Sequence, residues 1–435
     1  MNPTDQMIGT SNDSSQDLFG LMSRLYPLCR SITGDGVRQT LKILQEYIPV
    51  EIHEVATGTQ VFDWTVPKEW NIRDAYIKNP EGRKIVDFQT CNLHVVSYSA
   101  PIKKKVPLEI LKAHCFTLPQ HPQWVPYRTS YYKEDWGFCL SHQQLQELAD
   151  GDYEVSIESS LKEGHLTYGE CFLPGSTDDE ILISVHVCHP SLANDNLSSI
   201  AVASSLYQQL SRLSSRYSYR FLFIPGTIGS ITWLSQNESR VSRIRHGLVL
   251  ACVGDAGSIT YKRSRRGNAE IDRAAAQVLR DSGAEHKLTD FSPYGYDERQ
   301  FCSPGFDLAV GCFMRTPHGT FPEYHTSADN LEFLRPESIA DSTSKCMGIF
   351  QLLEQNKTYM NLNPKCEPQL GRRGLYSSIG GQTDGKIREL AMLWVLNLSD
   401  GTHSLLDIAE KSHLDFGLIH DAASNLSSHD LLKEV

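Results

Sequence analysis

Between residues 166 and 355, short apolar runs alternate with amphipathic ones, and this alternation restricts the fold more than any other feature. The predicted strands are Leu166–Leu173, Ile181–Val187, Arg220–Ile224, Gly247–Val253 and Asp307–Phe313. The predicted helices are Leu197–Leu210, Ile228–Gln236, Glu270–Asp281 and Pro336–Gln355. Strands this apolar are typical of a sheet that helices bury on both faces. The sequence therefore predicts an α/β fold with a mainly parallel mixed sheet and helices on both of its faces.

The predicted strand Ile181–Val187 leads directly into a group of polar residues. His186 and His189 lie at its end, and Asp195 follows in the loop before the next helix. In open α/β sheets, ligands bind at the carboxyl ends of the strands. Imidazole nitrogen and carboxylate oxygen are also donors that zinc accepts. This segment therefore indicates a zinc site at one edge of the sheet.

Two later strand ends carry similar residues, namely Asp255 in ACVGDAG and His325 in PEYHTSADN. Each candidate has a simpler structural explanation, since a histidine can be hydrogen-bonded in the core and an aspartate can cap a helix or form a turn. The order His, Asp, Asp, His after successive strands favours a shared metal instead. If two metals are bound, Asp195 is the expected bridge between them.

We assign the α/β domain to residues 17–59 and 126–360. The rest of the chain indicates three additions to it. Residues 1–16 are polar and are predicted to form a disordered leader. Residues 60–125 contain short alternating runs broken by Gly and Pro, which indicates an inserted β-rich domain. Residues 366–435 contain three short helical patterns and are predicted to form a winged-helix domain.

Charge and cysteine content limit the environment and the partners of the chain. The net charge is −11, and residues 366–435 carry six basic against ten acidic residues, which disfavours binding to nucleic acid or to a membrane surface. We expect the winged helix to contact protein, either a partner or a second copy of the chain. The eleven cysteines include no CxxC pair, and residues 1–16 do not resemble a signal peptide, so we expect free thiols in the cytoplasm.

Three segments resemble a known group of proteins: HVCHPSLANDNLSS, YDERQFCSPGF and PEYHTSADN. The chain is similar to the zinc aminopeptidase clan that also includes glutaminyl cyclases. It is more similar still to a bacterial aminopeptidase-like branch, often encoded with polysaccharide or natural-product biosynthesis genes, that has the inserted β domain and the winged helix. The resemblance implies zinc, one or two ions, held by His186, Asp195, Asp255 and His325.

The chain departs from the clan's pattern at three positions. Clan peptidases have a Glu-Glu pair after the next strand, where the first Glu is the general base and the second binds metal. Gly226 and Thr227 occupy those positions here, and Cys188 stands where an Asp would orient the ligand histidine. The site then holds either one metal ion or two, and in the second case other groups must complete the second metal's ligands.

Other residues are candidates for the missing functions. His189, Cys188 and Glu323 are candidate additional ligands because they lie beside the named ones. Glu298, in YDERQF, is the candidate general base, because this segment lines the substrate pocket in the clan. The alternative for Glu298 is an acidic residue of a surface loop.

The segment WVPYRTSYYKEDWGF is rich in aromatic and basic residues and indicates a substrate pocket. From it Arg128, Tyr131 and Lys133, together with Arg315, are predicted to bind an anionic group of the substrate. Packing of the inserted domain explains the same aromatic residues equally well.

The sequence as a whole favours a zinc-dependent amide hydrolase that acts on a small peptide-like substrate. One alternative is a metal-containing protein that binds a small molecule or a carrier-bound intermediate and has lost hydrolysis, because Gly226 stands in place of the general-base Glu. The other is a transcriptional sensor that uses its winged helix.

Overall fold

The computed structural model describes residues 11–375 and 383–435, so residues 1–10 of the predicted leader lie outside the described part. Residues 11–16, also predicted to be disordered, belong to a helix instead. Two compact units are present. One is formed by residues 11–267 and 287–344, and the other by residues 268–286, 345–375 and 383–435. In the described part of the chain, every helix is too short or too polar to cross a lipid bilayer.

The helices are α1 (Ser11–Leu25), α2 (Asp35–Leu44), α3 (Leu108–Ala113), α4 (His142–Gln146), α5 (Ser198–Leu210), α6 (Ile228–Asn237), α7 (Glu270–Asp281), α8 (Glu298–Phe301), α9 (Pro336–Gln355), α10 (Thr383–Leu398), α11 (Leu405–Ser412) and α12 (Phe416–Ser428). Short 3₁₀ turns occur at Asn92–His94, Val241–Arg243 and Gly371–Arg373, and a π turn at Ala193–Leu197.

The strands are β1 (Glu51–Ala56), β2 (Gln60–Val61), β3 (Trp64–Thr65), β4 (Glu69–Lys78), β5 (Lys84–Asp87), β6 (Ile102–Pro107), β7 (Cys115–Phe116), β8 (Phe138–Cys139), β9 (Asp152–Lys162), β10 (His165–Leu173), β11 (Glu180–His186), β12 (Ser218–Ile224), β13 (Ile244–Leu250), β14 (Ile259–Lys262), β15 (His286–Thr289), β16 (Val310–Met314), β17 (Thr358–Asn361), β18 (Asp400–Ser404) and β19 (Leu432–Glu434).

The largest sheet has eight strands in the order β1-β10-β12-β11-β13-β16-β14-β15. Its four central strands, β12, β11, β13 and β16, run parallel, while β1, β10 and β14 pair antiparallel with their neighbours. Every residue of β11 and of β12 is buried, as expected for strands covered on both faces. The predicted α/β fold with a mixed sheet is confirmed, but the sheet is parallel only at its centre rather than mainly parallel.

The strands and helices predicted between residues 166 and 355 are all present, with ends that differ by at most three residues. The largest shifts include the last predicted strand, which begins at Val310 rather than at Asp307. Asp307 has a φ of 47°, a left-handed backbone conformation that cannot continue a strand.

A second sheet, in the order β5-β4-β9-β6, is antiparallel. Three of its strands fall within or beside the predicted insertion, residues 60–125, and the fourth, β9, comes from residues 152–162. Alternate residues of β9, such as Tyr153, Val155 and Ile157, are buried in the core, which matches the period of two that a half-covered sheet requires. The exact bounds of the insertion remain a prediction.

The carboxy-terminal unit contains α10, α11 and α12 with the three-stranded antiparallel sheet β18-β17-β19. Ser404 caps α11 by accepting a hydrogen bond from the Asp407 backbone nitrogen. Within the same unit, Arg273 of α7 donates to Glu410 and pairs with Asp407, which fixes α7 against α11. The three helices match the three helical patterns predicted for a winged helix, and the small sheet is an addition that the sequence patterns did not predict.

Candidate metal centre

The carboxylate of Asp195 is the centre of the candidate site, at the carboxyl end of β11. It is 1% exposed. The Nε2 atom of His186 lies 2.6 Å from its Oδ1 atom, and the Nε2 atom of His325 lies 3.0 Å from its Oδ2 atom. Burial alone would raise the pKa of Asp195, but the neighbouring His189 and His186 and the hydrogen bonds to His186 and His325 lower that pKa well below its usual value.

A third imidazole, that of His189, faces the same carboxylate. Its Nδ1 atom lies 3.9 Å from Oδ1 of Asp195 and has no hydrogen-bond partner among the described residues. Its Nε2 atom lies 2.9 Å from the hydroxyl of Tyr296. Burial lowers the pKa of His189 well below its usual value, so the ring is neutral. When Nε2–H donates to the Tyr296 oxygen, the lone pair of Nδ1 points into the site.

Ligand atoms of His186, His189 and Asp195 all lie within 4.8 Å of one another, as atoms that share one metal ion must. All three residues are buried. The set contains two nitrogens and a carboxylate, which suits zinc. The orphaned Nδ1 of His189 is a further fit, because a buried acceptor without a partner is costly and a bound cation would satisfy it.

Two residues outside the predicted set hold this loop in place. Asp329 accepts hydrogen bonds from the backbone nitrogens of Asn194, at 2.6 Å, and Asp195, at 3.0 Å. Arg30, which is 1% exposed, donates from Nε to the His189 carbonyl oxygen at 2.8 Å and from Nη1 to that of Leu25. Burial lowers the pKa of Arg30 to about 10, which leaves it charged at neutral pH.

The structure does not bring Asp255 into contact with the three imidazoles. Both of its carboxylate oxygens accept hydrogen bonds instead, from Asn194 Nδ2 at 3.0 Å, from the Gly257 nitrogen at 2.7 Å and from the Thr316 hydroxyl at 2.6 Å. Through Asn194, Asp255 supports the loop before Asp195. Its role as a direct ligand stays a prediction.

The space beside position 226 is filled by other side chains. A Cβ atom placed on Gly226 would lie 2.5 Å from Cε1 of Tyr296. The Tyr296 ring stacks on His186, with 3.9 Å between ring centroids. The Cys188 thiol faces the Gly226 carbonyl oxygen at 3.7 Å, and burial raises its pKa to about 12, so the sulfur is a thiol rather than a thiolate.

Glu298, the candidate general base, is fully buried and forms an ion pair with Lys262. Its carboxylate also accepts hydrogen bonds from the Tyr296 backbone nitrogen. It is therefore not the surface acid of the alternative interpretation, but its oxygens are engaged by Lys262 and the backbone. Glu323, a candidate extra ligand, is half-buried in the turn that carries His325.

Of the predicted substrate-binding residues, Tyr131 is linked to the imidazoles through Tyr127. Its hydroxyl lies 2.8 Å from that of Tyr127, whose ring contacts His189 and His325 edge to face. The three basic residues have partners elsewhere. Arg128 lies over the Phe116 ring, Lys133 pairs with Asp135 at the surface, and Arg315 pairs with Asp341. Their role in binding an anion remains a prediction.

Comparison with known proteins assigns the chain to a fold class. A zinc aminopeptidase from Bacillus subtilis is 12% identical and superposes with a TM-score of 0.56 over 77% of this chain and 94% of its own. An M28 peptidase precursor from Shewanella amazonensis is 11% identical with a TM-score of 0.55, over 78% and 95%. The aminopeptidase-like fold expected from the three motifs is confirmed.

Residues 19–356 match the family model described as Domain of unknown function (DUF4910), and residues 357–434 match a winged helix-turn-helix. The chain belongs to the DUF4910 family, and its predicted winged helix is confirmed. A Clostridium acetobutylicum protein, provisionally named a polysaccharide biosynthesis protein with an aminopeptidase-like domain, is 52% identical over the full length of both chains. A crystal structure from the same organism, provisionally named a peptidase, is 51% identical with a TM-score of 0.94, over 99% of each chain.

Proposed function

We propose that this protein binds a single zinc ion between His186, His189, Asp195 and His325. The observation that carries the proposal is the arrangement of three imidazoles around one buried carboxylate, with Nδ1 of His189 lacking any partner among the described residues. The carboxylate is ionised and His189 is neutral, which are the protonation states that metal ligands require.

We propose one ion, rather than the two of the clan, because the ligands for a second ion are missing. Gly226 and Thr227 have no carboxylate to offer. The oxygens of Asp255 are occupied by Asn194, Gly257 and Thr316. Cys188 is a thiol that faces a carbonyl oxygen. Asp195 and His325 alone would make a poor second site, so we assign both to the first.

The proposed activity is hydrolysis of an amide bond in a small peptide-like substrate. Zinc at such a centre acts as a Lewis acid towards a carbonyl group. In this chain Asp195 and the imidazoles would hold the ion, while Asp329 and Arg30 keep the ligand loop rigid. Tyr127 and Tyr131 would line the approach to it. The aminopeptidase-like fold supports hydrolysis. The name of the Clostridium relative supports a biosynthetic setting.

Gly226 favours a second candidate function, a binding protein that has kept the metal and lost hydrolysis. General-base catalysis contributes about 10²–10⁴-fold to such reactions, so loss of the Glu without replacement would leave little activity. In that case the substrate class would be retained as a ligand, either free or attached to a carrier. The predicted substrate residues would then serve binding alone.

The test is a zinc titration followed by an activity panel. Purified protein, stripped of metal and titrated with zinc, should bind one equivalent, and His189→Gln or Asp195→Asn should abolish tight binding. The control is His165→Gln, which changes an exposed histidine. Amino-acid amides and short peptides then separate the two functions: turnover supports the hydrolase, and binding without turnover supports the binding protein. Failure of the wild type to bind zinc would refute both.

We propose that the winged-helix unit contacts protein rather than DNA, on the grounds of its excess of acidic residues. The transcriptional-sensor alternative requires DNA binding. A gel-shift assay at low salt, using random duplex DNA, distinguishes them, because a shifted complex would contradict the protein-contact proposal.

A further inference from the structure

A second buried carboxylate, that of Asp297, lies at the edge of the candidate metal centre. Asp297 immediately precedes α8 and is fully buried. Its Oδ1 atom accepts a hydrogen bond from the Ser230 hydroxyl of α6 at 2.7 Å. Its Oδ2 atom is buried and has no hydrogen-bond partner in the described part of the chain. A buried carboxylate oxygen without a donor is costly, so its presence calls for an explanation.

Asp297 lies in the space that opens where the clan has its catalytic Glu. A Cβ atom placed on Gly226 would be 3.3 Å from Oδ2 of Asp297 and would collide with the ring of Tyr296. A side chain at position 226 would therefore collide with Tyr296 and crowd the Asp297 carboxylate. The absence of a side chain at 226 gives Asp297 its place.

Tyr296 connects this carboxylate to the metal-binding imidazoles. The ring of Tyr296 covers His186 and its hydroxyl bonds to His189. The neighbouring acid, Glu298, cannot take the same role, because Lys262 and the Tyr296 backbone nitrogen engage its oxygens. Asp297 thus has the free acceptor atom next to the site, although sequence reasoning selected the residue after it.

We propose that Asp297 is a ligand-binding residue of this site, whose Oδ2 atom accepts a hydrogen bond from an N–H or O–H group of a molecule bound at the metal. This inference rests on the proposed zinc site and deepens it. The ligand class is one that carries a donor beside its metal-binding oxygen, as amides and hydroxamates do. Position 226 cannot make this contact, and Glu298 does not have an oxygen to spare.

Two small probes that differ in their donors test the proposal on the zinc-loaded, full-length protein. Acetohydroxamic acid has N–H and O–H donors, while acetate has none. Calorimetric titration should show that Asp297→Asn weakens acetohydroxamic acid by about 10- to 100-fold, as expected for one hydrogen bond to a charged group. Acetate should bind zinc-loaded Asp297→Asn at least as well as it binds zinc-loaded wild type, because acetate has no donor for the Oδ2 atom and the variant removes a negative charge.

Two further variants complete the design. Asp290→Asn alters an exposed aspartate earlier in the same loop and should bind both probes as wild type does. Should Asp297→Asn fail to fold by circular dichroism, Ser230→Ala replaces it, because it removes the hydrogen bond that orients the carboxylate and should selectively weaken acetohydroxamic acid. Equal affinities for acetohydroxamic acid in wild type and the variant, or none in zinc-loaded wild type, overturn the proposal. Absence of zinc binding overturns the metal site itself and is recognised before either probe is added.

Discussion

Substitutions at Arg220 should change the stability of the main sheet without changing zinc binding at the candidate metal centre. Arg220 lies on β12 and is 5% exposed, and its guanidinium donates to Glu180 at the start of β11, at 2.6 and 2.8 Å. It also pairs with Glu170 of β10, which in addition accepts a hydrogen bond from Trp233. One cation therefore neutralises two carboxylates across three neighbouring strands.

We expect Arg220→Met to lower the free energy of unfolding of the large unit by about 3–5 kcal/mol, because it leaves the Glu180 carboxylate buried without a counterion. Glu170 contributes less, since it is partly exposed and keeps its bond to Trp233. The double variant Arg220→Met with Glu180→Met removes the unpaired charge. It should recover at least about 2 kcal/mol of that loss, because a well-packed apolar pair often replaces a buried ion pair at little cost.

The assay is urea denaturation followed by circular dichroism at pH 7.5, together with zinc titration of each folded variant. Arg24→Met, which breaks the exposed pair with Glu46, is the control and should leave the midpoint unchanged. Glu180 and His186 lie at opposite ends of β11, about 20 Å apart at roughly 3.3 Å per residue. Zinc affinity should therefore stay the same. A double variant no more stable than Arg220→Met would refute the argument from charge burial.

Three further predictions concern the site and the pH dependence of stability. Gly226→Ala should destabilise the protein by about 1–3 kcal/mol and weaken zinc binding in calorimetry, because the new methyl group collides with Tyr296. The control Gly305→Ala should do neither, because its methyl group meets no neighbour. Zinc at 100 times its dissociation constant should stabilise the wild type by about 2.7 kcal/mol in thermal denaturation, and a chelator should reverse this. The ion pair with Arg38 and hydrogen bonds lower the pKa of Glu69 from 4.5 to about 2. The stabilisation that comes from this lowered pKa is present above pH 4.5 and is lost as the pH falls towards 2. Between pH 5 and pH 3 the free energy of unfolding of the wild type should therefore fall by about 2 kcal/mol more than that of Glu69→Gln. Equal losses in urea titrations would contradict this.

The strands and helices of the sheet could be predicted because their patterns are local. Their mostly apolar sequences predicted β11 and β12 as strands of a sheet buried on both faces, and the position of His186 at the end of β11 indicated where to expect the metal centre. The ends were less certain, as Asp307 shows, because a left-handed residue leaves no mark on the hydrophobic period.

Several residues of the site could not be found in this way, because their roles depend on contacts across long stretches of chain. Arg30 reaches a carbonyl oxygen 159 residues away, and nothing in its own segment marks it. Asp329 lies inside the motif PEYHTSADN, yet its bonds to the Asp195 loop appear only in three dimensions. Asp297 and Glu298 are adjacent in sequence, but the turn into α8 directs one towards Ser230 and the other towards Lys262.

The hydrogen bond from Arg30 to the His189 carbonyl oxygen has a consequence for how metal binding depends on folding. Segments near residues 30, 190, 297 and 327 all meet around the imidazoles, so we expect a partly folded chain to bind the ion only weakly. Uptake of the ion would then report completed folding of the large unit, and a chain shortened by its first helices should lose its affinity for metal even though every proposed ligand is still present.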